Sequence, residues 1–169
     1  MSTYSEILNV AAESLRESGN ENARRDARLL LCYAAGFSTV ELISSENDSI
    51  PQHVLHTFTD AIRRRQAREP VSRIIGNREF WGRCFTITPD VLDPRPDTET
   101  LVSLALDWLP TGPVNILDLG VGSGCILLTL LCERPEAQGI GVDESQSALD
   151  VAMQNATALG VESRANFIE

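Results

Sequence analysis

The chain has 169 residues, 43% of them apolar, which is enough for one mid-sized domain or two small ones with a real core. No apolar run approaches the ~18 residues that span a bilayer, and the start MSTYSEILNV lacks the basic, apolar pattern of a signal peptide, so a cytoplasmic location is expected. A net charge of −10 argues against a protein that tracks nucleic-acid phosphates, and four cysteines without C-x-x-C spacing indicate neither a zinc site nor a disulfide framework.

Residues 3–69 read as helices. Thr3 and Glu6 form a capping-box pattern, Ile7, Leu8, Ala11, Ala12 and Leu15 recur at helical spacing, and Gly19 supplies a stop. Asn22 is positioned to cap a second helix carrying Ala23, Ala27, Leu30, Leu31 and Ala34 up to Gly36. Ser38 and Glu41 repeat the capping box for a short third, and Ser49 with Pro51 opens a fourth bearing Val54, Leu55, Phe58 and Ile62. A small helical bundle follows. His53 and His56 stand three apart on that last helix without carboxylate or cysteine companions, so no metal is implicated.

The fourth helix ends in Arg63, Arg64, Arg65 and Arg68, which read as a solvated helix end favoured by the macrodipole, before Glu69-Pro70 breaks the helix. Charge changes here as well. Residues 1–69 hold 8 Arg against 10 Asp and Glu, whereas residues 70–169 hold 6 against 14. This predicts a helical domain over 1–70, a hairpin linker over 71–96 and a second domain over 97–169. From Ser72 the period turns strand-like, and Phe85 and Ile87 alternate with Cys84, Thr86 and Thr88. Past the proline-rich Asp93-Pro94-Arg95-Pro96, Asp97 is placed to cap a helix with Leu101, Val102, Leu104, Ala105 and Trp108. Strand and helix then alternate: strand 114–118, helix 125–133, strand 139–143, helix 147–159 and the start of a strand at 165–168.

The glycine turn of that alternation carries the most chemistry. In Asp118-Leu119-Gly120-Val121-Gly122-Ser123-Gly124, glycines let backbone N–H groups approach a ligand and let the next helix begin close by. A dinucleotide fingerprint, G-x-G-x-x-G, would need glycine where Cys125 stands. The D-x-G-x-G-x-G form is instead similar to the first motif of class I S-adenosylmethionine methyltransferases, whose loop faces an amino-acid moiety. Asp143 ends the second strand, where its carboxylate can accept a ribose diol or cap the following helix; a nucleoside cofactor of either class would need such an acid. Asp118 either ties down loop amides or meets the ligand, and Cys125 reads as a small packing residue.

Around this loop the chain resembles the HemK/PrmC family. Arg68-Glu69-Pro70, Ile75-Gly76, Glu79-Phe80, Gly82 and Phe85 look like its R-x-x-E-P…I-x-G…E-F-x-G-x-x-F signature, with one position fewer between Arg and Glu. Val91-Leu92 and Pro94-Arg95-Pro96-Asp97-Thr98-Glu99 look like its V-L-I-P-R-P-[ED]-T-E, with Asp93 replacing an apolar residue. Asn155-Ala156 and Leu159-Gly160 match the helix after the second strand. Val121 stands where threonine is frequent and is expected still to offer its backbone N–H.

The resemblance implies an α/β fold: an N-terminal helical bundle that engages the substrate, a β-hairpin, and the first part of a class I (Rossmann-like) methyltransferase sheet. It implies S-adenosylmethionine as cofactor, with Asp118, Gly120, Val121, Gly122, Ser123, Gly124 and Asp143 binding it, and a class I peptide chain release factor as partner. The reaction would be methylation of a glutamine side-chain amide, for which the family uses an Asn-Pro-Pro-Tyr loop. That tetrapeptide does not occur in this sequence. No catalytic residue is therefore assigned, and the chain alone is expected to be inactive. Two other readings are a non-catalytic release-factor or protein-binding fragment and an amino-methyltransferase acting on DNA adenine. Thr98 and Glu99 either belong to a rigid turn or, as the resemblance suggests, shape the wall near the methyl donor.

Overall fold

A computed structural model describes residues 2–169, which divide into two compact units at Ile75/Gly76. The first unit is helical: α1 (Tyr4–Glu17), α2 (Ala23–Ala35), α3 (Thr39–Ser44), α4 (Gln52–Gln66) and α5 (Val71–Ile75). Both predicted capping boxes form, Thr3 with Glu6 at α1 and Ser38 with Glu41 at α3. Asn22, by contrast, makes no side-chain cap bond at α2. Leu15, Ala27, Leu30, Leu31 and Phe58, all almost fully buried, form the centre of this unit's core.

Two sequence readings of this unit are corrected. Residues 72–75 are helical rather than strand-like. Pro70 starts the turn by offering its carbonyl to the N–H groups of Arg73 and Ile74, and burying Ile74 outweighs the strand preference of β-branched residues. The arginine run is solvated only in part: Arg63 and Arg68 are exposed, whereas Arg64 and Arg65 are partly buried and every one of the four is bonded within the unit. The Arg65 Nε donates to the Asp26 carboxylate at 2.8 Å, and the Arg64 Nε to Glu69 at 2.8 Å. Arg68, itself at positive φ, donates to the carbonyls of Ser18 and Gly19, the orphan acceptors just beyond the end of α1.

The second unit opens with a hairpin, β1 (Asn77–Phe80) antiparallel to β2 (Arg83–Thr86). Its two-residue turn places both Trp81 (φ 53°) and Gly82 (φ 67°) in the left-handed region, as a type I′ turn requires. Trp81 is an unusual occupant there, and its N–H is held at 2.9 Å by the Glu99 carboxylate. Glu99 lies in the first turn of α6 (Thr98–Trp108), where Asp97 makes no side-chain cap.

A parallel sheet follows in the order β3 (Asn115–Leu119), β4 (Gln138–Val142), β5 (Ala165–Ile168), with crossover helices α7 (Cys125–Glu133) and α8 (Gln146–Ala158). Each of these bounds lies within one residue of the sequence reading. The helices cover one face so closely that β4 needs glycine. A Cβ on Gly139 would stand 2.6 Å from Leu127 Cδ1, and one on Gly141 would stand 2.8 Å from Val121 Cγ2. The opposite face is open: Leu117, Leu119, Ile140 and Ile168 lie there, 61%, 73%, 40% and 46% exposed.

Candidate cofactor site

The site sits at the carboxyl ends of β3 and β4, where open α/β sheets bind ligands. β3 delivers Asp118 opposite Gly141 and then turns through the glycine loop into α7. Gly120, Gly122 and Gly124 all have positive φ, at 77°, 53° and 79°, so this path demands residues without a Cβ. At Gly120 and Gly122 an added Cβ would meet nothing within 4 Å, whereas at Gly124 it would meet Leu128 of α7 at 2.7 Å. The first two glycines therefore border open space, and the third lets the helix pack.

Nearly every loop N–H already has a partner. Those of Gly120 and Val121 both donate to the Val142 carbonyl, at 2.8 and 2.9 Å, and that of Gly124 donates to the Val121 carbonyl at 2.8 Å. The Gly122 N–H donates to Asp143 Oδ2 at 2.9 Å, while Asp143 Oδ1 accepts the Ser145 N–H at 3.1 Å. The expectation that Val121 offers its N–H to a ligand therefore fails, because the carbonyl at the end of β4 takes it. The Val121 side chain is buried, and its role is packing against Gly141. Between Gly120 and Gly124, the Ser123 N–H is the donor without a partner among the described residues.

Asp143 thus fastens both the glycine loop and the residue that caps α8, since Ser145 accepts the Ala148 N–H with its own hydroxyl. An ionised carboxylate has about four acceptor positions, so two remain for a ligand. Asp118 is half-buried, and burial, with the charge of Asp143 adding to it, pushes its carboxyl above the usual range, opposed by the Leu127 N–H. Burial also pushes the Cys125 thiol up, as befits a packing residue rather than a reactive one.

One residue of this region entered the sequence reading only through the family resemblance, with no part in the site assigned to it. Asn155, on α8 and 1% exposed, bonds through its side-chain amide both to Thr86 of β2 and to the Ser123 carbonyl of the loop. The signal that could have found it is a lone amide on the face shared by Leu149, Ala152 and Ala156.

Comparison with known proteins decides the family. Residues 6–76 match the model of the PrmC N-terminal domain, and residues 97–169 match that of the methyltransferase small domain. The release factor glutamine methyltransferase of Rhodospirillum rubrum is 46% identical over 161 residues, which cover 95% of this chain and 50% of that protein. This chain belongs to the PrmC/HemK release factor glutamine methyltransferase family. The family's member from Cereibacter sphaeroides is likewise 46% identical, over 94% of this chain and 56% of its own length. The chain therefore spans about half the length of the relatives it matches. Among solved structures, an S-adenosylmethionine-dependent methyltransferase from Geobacter sulfurreducens in complex with S-adenosyl-L-homocysteine is 37% identical over 44% of this chain and 29% of its own, with a TM-score of 0.38. In this PrmC/HemK chain the glycine loop, Asp118 and Asp143 all fall within the segment that matches the methyltransferase small domain.

Proposed function

We propose that this chain carries the S-adenosylmethionine grip of an enzyme that methylates the side-chain amide of a glutamine in a class I peptide chain release factor, in the cytoplasm. The observation behind the reading is the D-x-G-x-G-x-G loop, folded over open space at Gly120 and Gly122 and tied to Asp143. Asp118, Ser123 and Asp143 are the residues that would bond the cofactor, Gly120 and Gly122 would give it room, and Gly124 and Val121 would support the loop by packing.

Those residues suit this ligand better than a dinucleotide. Two carboxylates close enough to influence one another, one of them half-buried, are relieved by a cationic ligand and would repel a pyrophosphate. The Ser123 N–H and the uncapped start of α7 offer donors to a carboxylate. The spare acceptor positions of Asp143 suit a ribose diol, which both cofactor classes carry, so the preference rests on Asp118 and the Ser123 N–H. A zwitterionic amino-acid group on a nucleoside satisfies all three requirements. When bound, S-adenosylmethionine supplies an electrophilic methyl group on a sulfonium. This chain's residues bind and orient; an Asn-Pro-Pro-Tyr segment, absent from the sequence, is what the resemblance assigns to holding the amide nitrogen. An amide nitrogen is a poor nucleophile, so without such positioning no turnover is expected from this chain alone. The helical unit would meet the release factor.

Isothermal titration tests the reading. S-Adenosylmethionine should bind saturably, NAD should not, and Asp143→Ala should weaken binding at least about tenfold, or ~1.4 kcal/mol. A folded chain that binds neither, or binds both alike, would contradict it.

A further inference from the structure

The buried amide of Asn155 joins two segments that the sequence separates widely. Its Oδ1 accepts the Thr86 N–H at 2.7 Å, and its Nδ2 donates to the Thr86 carbonyl at 3.1 Å and to the Ser123 carbonyl at 2.9 Å. The first two bonds make the side chain act as a neighbouring strand, covering the edge of β2 that β1 leaves unpaired. The third fixes one end of the Ser123–Gly124 peptide, whose other end is fixed by the Gly124 N–H on the Val121 carbonyl. That peptide adjoins the loop's unpartnered donor, the Ser123 N–H. Both amide hydrogens and the oxygen of Asn155 are engaged at 1% exposure, so water does not readily substitute for any of the three bonds.

We propose that Asn155 is a positioning residue: by holding the Ser123–Gly124 peptide it sets the orientation of the adjoining Ser123 N–H, the loop's free donor, and couples the hairpin to the glycine loop, so that occupancy of the loop is felt at β2. The cofactor half of this statement rests on the S-adenosylmethionine reading above; the coupling itself does not. Leucine at this position removes all three bonds. Aspartate keeps the shape and the acceptor but sets a carboxylate against two carbonyl oxygens. Neither substitution touches the ligand.

The test uses the 15N-labelled chain with Asn155→Asp, Asn155→Leu and, as a control of ordinary core damage on the same helix, Leu149→Ala. The Asn155 variants should displace the amide resonances of Thr86 and of Ser123–Gly124 together and weaken S-adenosylmethionine at least about tenfold. Leu149→Ala should lower the melting temperature but move neither set of resonances and leave affinity within about twofold. In the wild-type chain, added S-adenosylmethionine should slow hydrogen exchange at Thr86 as well as in the loop, a readout that holds even if the variants fail to fold. Disturbance confined to the hairpin, or slowing confined to the loop, overturns the proposal. A wild-type chain that does not bind the cofactor overturns the cofactor reading, and the paired resonances then still decide the coupling.

Discussion

Asp118, proposed above as a cofactor residue, carries a cost in stability. Its carboxyl has a raised pKa in the fold, chiefly through burial, so the folded state holds the proton more tightly than the unfolded chain does. Such a group favours folding below its unfolded value, and that contribution is lost as pH rises through the folded value. At neutral pH the ionised side chain therefore works against the fold. Asp118→Asn should raise the melting temperature at pH 7, with the gain disappearing below the ordinary carboxylate range, while weakening S-adenosylmethionine; thermal denaturation at the two pH values checks the sign. The glycines divide by the same logic. Gly120→Ala adds a methyl group to open space, costs about 1–2 kcal/mol through its positive φ, and should leave the chain folded but poorly able to bind cofactor. Gly141→Ala drives a methyl group to 2.8 Å from Val121 and 2.9 Å from Phe167, and overpacking of that kind costs about 1–3 kcal/mol. Because the two stability costs overlap, urea denaturation is paired with cofactor titration: Gly120→Ala should lose more affinity than Gly141→Ala for the same loss of stability, and equal ratios in the two would refute the assignment.

Among the elements, the cap that forms and the cap that does not make a direct comparison. Ser38→Ala should cost about 1 kcal/mol, because its hydroxyl accepts the Glu41 N–H, whereas Asn22→Ala should cost much less, since that side chain makes no cap bond. Local patterns of this type were legible because capping boxes, apolar periodicity and the alternation of strand and helix depend on neighbours a few residues away. The β3–α7–β4–α8–β5 succession was read to within a residue for that reason. Residues 72–75 are helical against the strand-like expectation because Pro70 and the burial of Ile74 together overrule the strand preference of their side chains. The glycine loop was readable as a motif but not in its bonding: that the Val142 carbonyl takes the Val121 N–H depends on where β4 ends in space. The lone amide on the apolar face of α8 marks Asn155 as buried, but the partners of Asn155, 69 and 32 residues away, and that of Glu99, 18 away, are not given by any local pattern.

The molecule as a whole leaves the sheet face of Leu117, Leu119, Ile140 and Ile168 uncovered, although parallel sheets are ordinarily covered on both sides. Leu117 is aligned with Ile140, and Leu119 with Val142 and then Ile168, so the exposure forms a patch rather than scattered residues. The chain should therefore self-associate as concentration rises, and Leu119→Lys should reduce that association in sedimentation velocity without lowering helix content. Mapping the amide resonances of the labelled chain as S-adenosyl-L-homocysteine is added tests whether the loop and Asp143 form a grip for S-adenosylmethionine. Saturable shifts should centre on Gly120, Gly122, Ser123, Gly124 and Asp143, with an accompanying shift at Thr86. Shifts centred elsewhere, or none from a chain whose spectrum shows it folded, would contradict that grip.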